Sequence, residues 1–242
     1  MKKSMITLMI GLAAGIGFST TSRADDDRSW KWSPVGIGLA APIQLPFMES
    51  DIYGLRLGGF FGCNRDVYGL DAGVAEVCTG NFKGLQAAAL SWTVGSAYGV
   101  QVAPFANVVK ENSVALQAGF ANVNWGDAGG LQVGAVNYDG SYEGLQFAGL
   151  VNWDNLGSYG LEIAPINANQ DEFSGLAFGG LVNYSNKFRG FGCGLINAAY
   201  DVTGCQLGLV NACDRIHGVQ LGLVNLICES KLPIMVIANA WF

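Results

Sequence analysis

Apolar and polar residues alternate in short segments that recur along nearly the whole chain. The segment EGLQFAGLVNW, Glu143–Trp153, has near copies that start every 14 to 16 residues. After each start, apolar first and third positions enclose a mostly polar second one, and the fourth is Gly or Ala. This period of two predicts a two-faced β-strand in each copy and an all-β protein. The twelve starts are Gly54, Gly69, Gly84, Gly99, Ala115, Gly130, Gly144, Gly160, Gly175, Gly190, Gly204 and Gly218.

The polar second position forms a column that is shared by most of the copies. Asn closes nine copies, and turn-forming clusters such as YDGSYE and SNKFR follow them. A strand of about ten residues and a turn of about five account for the period. The ten residues of this polar column are Arg56, Asp71, Gln86, Gln101, Gln117, Gln132, Gln146, Glu162, Gln206 and Gln220.

An antiparallel up-and-down transmembrane β-barrel is the preferred prediction for how the strands assemble. About ten residues match a tilted strand that crosses a bilayer, with the apolar face in lipid and the polar column lining a lumen. Aromatic residues such as Tyr98 and Trp153 flank the strand cores, where interfacial girdles occur. With further strands at 35–47 and at the C-terminus, the twelve copies give about 14 strands.

A β-solenoid of stacked 15-residue coils is the alternative. Its repeated Gln and Asn residues would form ladders along the outside and the turns. Cys63 and Cys78 are fifteen residues apart, as are Cys213 and Cys228, so stacked coils would bring each pair within disulfide range. Reversing strands would separate them. The barrel is preferred because a coil of about fifteen residues leaves little chain for a return strand.

Composition and the N-terminus indicate an exported protein. Lys2, Lys3, an apolar run and the small residues before Ala24 predict a signal peptide over residues 1–24. A flexible acidic segment over 25–34 and a single repeat-built domain over 35–242 would follow. Removing the signal leaves 10 basic and 19 acidic residues, a net charge near −9, which argues against nucleic acid as a partner.

The repeat also resembles a known family. GVQLGLVN (Gly218–Asn225), GLQVGAVN (Gly130–Asn137) and the ending LPIMVIANAWF look like bacterial surface-repeat proteins first noted in leptospires. The resemblance covers about residues 54–242; it implies a place at the cell envelope and carries no functional residues to transfer. The terminal Phe242 resembles the signal that the outer-membrane barrel assembly machinery reads, which implies that machinery and outer-membrane lipid as partners.

Candidate chemistry is sparse. The only histidine, His217, lies in a turn, no catalytic motif or close cysteine pair occurs, and we expect no enzyme activity, metal or cofactor. The first functional hypothesis is therefore an outer-membrane pore for small polar solutes, lined by the polar column. The second is a structural or adhesive surface protein without transport. The ligand is unknown in both cases.

Overall fold

The structure, a computed structural model, describes residues 32–40, 43–230 and 232–241, and every regular element within these ranges is a β-strand. The predicted signal peptide, most of the segment 25–34, and Phe242 lie outside the described residues. The strands are β1 (Trp32–Ala40), β2 (Ile43–Leu45), β3 (Asp51–Asn64), β4 (Val67–Ala72), β5 (Ala75–Cys78), β6 (Phe82–Ala87), β7 (Leu90–Thr93), β8 (Ala97–Val109), β9 (Ser113–Asn124), β10 (Asp127–Asp139), β11 (Ser141–Asp154), β12 (Ser158–Leu207), β13 (Val210–Ile227) and β14 (Ile234–Trp241).

Each sequence repeat forms one coil, which consists of a first strand, a corner, a return strand and a turn. In the third coil, β6 contributes six residues and β7 contributes four. Ala88 and Ala89 form the corner between them, and residues 94–96 form the turn. Fifteen residues are therefore enough for a complete coil, because the return strand is short.

Neighbouring coils pair in parallel and in register. Leu145 of β11 pairs with Leu131 of β10 and with Leu161 of β12. Gln146 lies between Gln132 and Glu162 in the same way. Register shifts near the corners absorb the variation in coil length, as β-bulges do. Equivalent residues of the repeat therefore stack in straight columns along the molecule.

Antiparallel strands stand at both ends of the described stack. At the N-terminal end, β1 pairs in parallel with β3, and β2 pairs with β1 in the antiparallel direction. At the C-terminal end, β14 pairs with β13 in the antiparallel direction. Parallel pairing therefore runs from β1 to β13, with the antiparallel strands β2 and β14 at its two ends.

The Gly that starts each coil permits close stacking. Eleven of the twelve starting positions have φ between +109° and +150°, which L-residues rarely adopt. A Cβ atom at Gly144 would also lie 2.2 Å from the carbonyl oxygen of Gly130 in the preceding coil. The repeated Gly is therefore required both by the backbone conformation and by the contact with the next coil.

The predicted barrel is wrong, and the alternative solenoid describes the fold. About 13 turns stack into the solenoid, with a 14-stranded sheet that runs along it. We expected a coil of about fifteen residues to leave too little chain for a return strand. The coil is long enough because the chain turns after the fourth position of the repeat and the return strand needs only four residues. Alternation of apolar and polar residues is the same in both architectures, so this pattern could not distinguish them.

Candidate functional site

The interior of the solenoid is filled by the residues that we expected to line a lumen. All ten residues of the polar column are at most 2% exposed. Gln101 donates to Gln86 over 2.9 Å, Gln117 to Gln101 over 3.0 Å, and Gln132 to Gln117 over 3.1 Å. The Gln column is thus a hydrogen-bonded ladder that occupies the space between first and return strands, and the expected lumen is absent from the described coils.

A second ladder explains the Asn that closes most repeats. Each ladder Asn except the last donates a hydrogen bond of 2.8 to 3.0 Å to the side-chain oxygen of the next one. Its members are Asn107, Asn122, Asn137, Asn152, Asn167, Asn183, Asn197, Asn211 and Asn225. These side chains are buried, so the expectation that a solenoid would carry its Gln and Asn ladders outside is wrong.

The Asn ladder also explains why the fourth position is always Gly or Ala. Asn122 donates a second bond to the carbonyl oxygen of Val133, which belongs to the first strand of the next coil. A Cβ atom at Gly134, the following residue, would lie 3.0 Å from the side-chain amides of Asn122 and Asn137. Small residues at this position therefore leave space for the amides that tie the return strand to the first strand.

A buried charge cluster lies at the N-terminal end of the polar column. The guanidinium of Arg56 donates two hydrogen bonds of 2.6 Å to the carboxylate of Asp71 and lies 3.1 Å from Glu76. Arg56 also donates to the carbonyl oxygen of Val77. All three charged side chains are at most 2% exposed. The sequence indicated Arg56 and Asp71 as lumen residues; in the fold they form a bidentate ion pair inside the coils.

Glu76 is the member of this cluster that sequence analysis missed. Burial raises its pKa to about 7, although the nearby Arg56 acts in the opposite direction. A Cβ atom at Gly58, Gly62 or Gly73 would lie 1.7 to 2.1 Å from a carboxylate oxygen of Glu76. The three glycines thus form the pocket that holds this carboxylate. Their clustering in the first two repeats was the signal that could have identified it.

Three more carboxyl groups are buried in the middle of the solenoid. Asp139, Asp154 and Glu162 are at most 1% exposed, and burial raises the pKa of each. Asp139 accepts hydrogen bonds from Asn124, Gln132 and Gln146. Burial is the main cause of the raised pKa of Glu162, and the nearby carboxylate of Asp154 raises it further. These groups favour their neutral forms inside the protein.

Apolar side chains interrupt the Gln ladder in two coils before Gln206 and Gln220 resume it. The ninth and tenth coils have Ala177 and Gly192 at the position that carries Gln in most other coils. The rings of Phe173 and Phe188 stack on each other beside these small residues, with their centroids 5.8 Å apart. A Cβ atom at Gly192 would lie 3.2 Å from the ring of Phe188. A cavity of about 10 Å³ remains there, which is enough for about one water molecule.

The predicted disulfide pairs are separate free thiols, like the other two cysteines. Cys63 pairs with Val77, and Cys78 with Asn64, so the two cysteines are offset by one residue and face opposite sides. The stack has a period of 14 residues there, whereas the cysteines are 15 apart. Cys213 and Cys228 are likewise 15 apart, and the former is buried while the latter is exposed. Burial raises the pKa of Cys78 and Cys213 to about 12, which keeps them as thiols.

The outer surface carries the large apolar side chains. Along the corner that joins first and return strands, exposed side chains of successive coils form an apolar ridge. The ridge consists of Phe60, Val74, Leu90, Phe105, Phe120, Leu150, Leu181, Leu195, Leu209 and Leu223, which are 38% to 70% exposed. It continues onto the outward faces of both strands, with residues such as Leu145 and Ile166. An exposed apolar surface of this extent is typical of a surface that contacts lipid or an apolar protein partner.

Within the described ranges, no group of three or more His, Cys, Asp or Glu side chains has an arrangement that could hold a metal ion. The same residues include no helix with the length and hydropathy needed to cross a bilayer. Comparisons of the chain with protein families, with curated proteins and with solved structures find no match.

Proposed function

We propose that this chain is a non-catalytic structural or adhesive surface-repeat protein of a bacterial envelope. The observation that carries the proposal is that the solenoid buries polar side chains and exposes large apolar ones, which reverses the usual arrangement of a globular protein. Its interior is closed by Gln and Asn ladders, and its large apolar residues lie outside. Any contact with another molecule must therefore use the outer surface, as in other solenoids, whose extended surfaces serve as binding faces.

Several features support this function over transport or catalysis. The polar column is occupied by its own hydrogen bonds, so it offers no path for a solute. Acidic groups that could act as catalysts, such as Glu76 and Glu162, are enclosed between coils away from any substrate. The resemblance of the repeat to bacterial surface-repeat proteins and the predicted signal peptide favour export to the cell surface.

Surface location can be tested with an epitope inserted into the exposed turn at Lys110 and Glu111. We expect an antibody to label intact cells as strongly as permeabilised cells, because the turns lie outside the ladders. Cells carrying the unmodified chain are the control. Labelling that requires permeabilisation would contradict a surface location.

Adhesion can be separated from a purely structural role with intact cells. Cells that lack the gene are compared with complemented cells for attachment to host cells and for binding to isolated envelope components. A loss of attachment on deletion favours adhesion, whereas altered envelope integrity with unchanged attachment favours a structural role. In planar bilayers we expect no discrete conductance steps, and steps from well-folded protein would contradict the proposal.

A further inference from the structure

We infer that the solenoid inserts its apolar ridge into one leaflet of a lipid bilayer and keeps its turns in water. This inference rests on the proposed function, because it names the partner of the outer surface. It differs from a membrane-crossing strand, since each coil would enter and leave the hydrocarbon on the same side.

The distribution of charge along each coil is the first observation. Between the starting position and the ladder position, the twelve copies contain only four charged residues, Arg56, Asp71, Glu76 and Glu162, and all four are buried. The other polar side chains in these stretches are ladder residues and Ser91, which are also buried. The ridge and the adjoining strand faces therefore present no exposed charged or hydrogen-bonding side chain that would have to be dehydrated.

The size of this surface fits half a bilayer. Five residues separate the start of a coil from its corner, which at ~3.3 Å per residue gives a depth of about 16 Å. The hydrocarbon core of a bilayer is about 30 Å thick, so one leaflet supplies about 15 Å. The part of each coil without exposed charge is thus too short to cross the membrane but matches a single leaflet.

Aromatic residues mark the boundary between the apolar surface and the charged turns. Tyr53, Tyr98 and Tyr159 stand one residue before the coil starts and are exposed. On the return strand, Trp153 and Tyr184 follow the ladder Asn. Trp and Tyr are enriched at the level of lipid headgroups, where an apolar ring and a polar tip are both satisfied. Beyond this belt lie charged turn residues.

The shape of the apolar surface favours lipid over a second copy of the chain. The exposed apolar residues cover the outward face of the first strands, the ridge, and the outward face of the return strands, as at Leu145, Leu181 and Ile166. A two-fold dimer buries one patch on each copy and would leave other sides in water. Fluid hydrocarbon covers all three sides at once.

The test uses the full chain and vesicles of neutral phosphatidylcholine, which remove electrostatic attraction to lipid headgroups. We expect wild-type protein to float with the vesicles. Leu181→Asp places a charge on the ridge and should lower partition into the vesicles about 100-fold. The matched control is Leu156→Asp, because Leu156 has similar exposure but lies in a turn. It should bind as the wild type does.

A second ridge variant and two further measurements keep the test independent of folding. Leu209→Asp, on the ridge of another coil, should repeat the effect of Leu181→Asp, and circular dichroism should show native strand content in all variants. Leu181→Trp introduces a tryptophan on the ridge, and its fluorescence is the difference between this variant and the wild type. Lipids brominated near the chain ends should quench that fluorescence more than lipids brominated near the headgroups. Leu156→Trp should show the reverse order or no quenching.

The inference is overturned if wild-type protein stays with the unbound fraction, or if Leu181→Asp and Leu209→Asp float as well as Leu156→Asp. It is also overturned if lipid-free protein forms an oligomer that Leu181→Asp dissociates, because a second copy would then cover the ridge. Intact-cell labelling of the epitope in the turn would still stand in these cases, so failure of lipid insertion is distinguishable from failure of the proposed surface role.

Discussion

At single positions, the coil imposes two requirements that the repeat meets with Gly and Asn. The starting Gly must adopt a positive φ and allow the preceding coil to approach, as Gly144 does. The ladder Asn must donate both to the next coil's Asn and to its first strand, as Asn137 does. A buried polar group that loses such partners costs free energy, so both positions should be sensitive to substitution.

Gly144→Ala is expected to destabilise the protein by about 2 kcal/mol or more, because the backbone conformation is strained for Ala and the Cβ atom clashes with Gly130. Gly149→Ala in the same coil is the matched control. Its Cβ atom would meet no atom closer than 3.8 Å, so its effect should stay within about 1 kcal/mol. Urea unfolding measures both, and equal losses would contradict the stacking requirement.

Asn137→Ala is expected to lower the free energy of unfolding by about 2 to 4 kcal/mol. It removes hydrogen bonds with Asn122, Asn152 and Phe147 and leaves buried amide groups without partners. Asn112→Ala provides the comparison, since Asn112 is exposed and its side-chain oxygen accepts one bond of 3.3 Å from the backbone of Asp127. If the two variants unfold at the same urea concentration, the ladder does not stabilise the solenoid.

Among the strands and coils, the unit of structure is one coil that contacts only its neighbours. β10 pairs with β9 and β11 and with no other element. In such a quasi-one-dimensional stack, stability is close to a sum of terms for single units and for their interfaces. Whole coils should therefore be removable, whereas part of a coil should not.

Deletion of residues 130–143 removes one coil and joins Gly129 to Gly144, which restores the repeat. We expect strand content to remain and the urea m-value to fall by roughly a tenth, in proportion to the surface buried. Deletion of residues 137–143 removes half a coil and should prevent cooperative unfolding, because every later column loses its register. Equal behaviour of the two deletions would contradict the coil as the structural unit.

For the whole molecule, buried carboxyl groups couple stability to pH. Burial raises the pKa of Glu76 to about 7, and that of Asp139 and Glu162 also rises through burial. The folded state then binds protons that the unfolded state has released, so stability is greatest below about pH 4.5 for Glu76 and falls as pH rises toward 7.

Glu76→Gln should reduce the loss of stability between pH 5 and pH 7.5, because the amide cannot ionise. The difference from wild type should be on the order of 2 kcal/mol, because this pH interval covers most of the range between the unfolded pKa and the raised one. The exposed Glu229→Gln should keep the wild-type pH dependence. Urea unfolding at both pH values measures this, and a wild-type stability that increases from pH 5 to pH 7.5 would refute the proton linkage.

Some features of the candidate site were visible in the sequence and others were not. The polar column could be read from the alternation, because Gln86 and its equivalents recur with one period. Glu76, Asp139 and Asp154 were missed because they lie on return strands, outside that column. For the two aspartates, the signal was their position two residues after a ladder Asn, which Asn124 and Asn169 share.

The amino-acid sequence was enough to predict an all-β protein and the repeat of 14 to 16 residues, because these depend on local alternation and on Gly and turn-forming residues. Only the tertiary structure decided that the strands stack in parallel around a filled interior. The same period of two suits a lipid-facing barrel strand and a solenoid coil; the difference lies in where Asn122 and its equivalents find partners. Those partners belong to the next coil, and contacts between distant residues are not encoded in any one repeat.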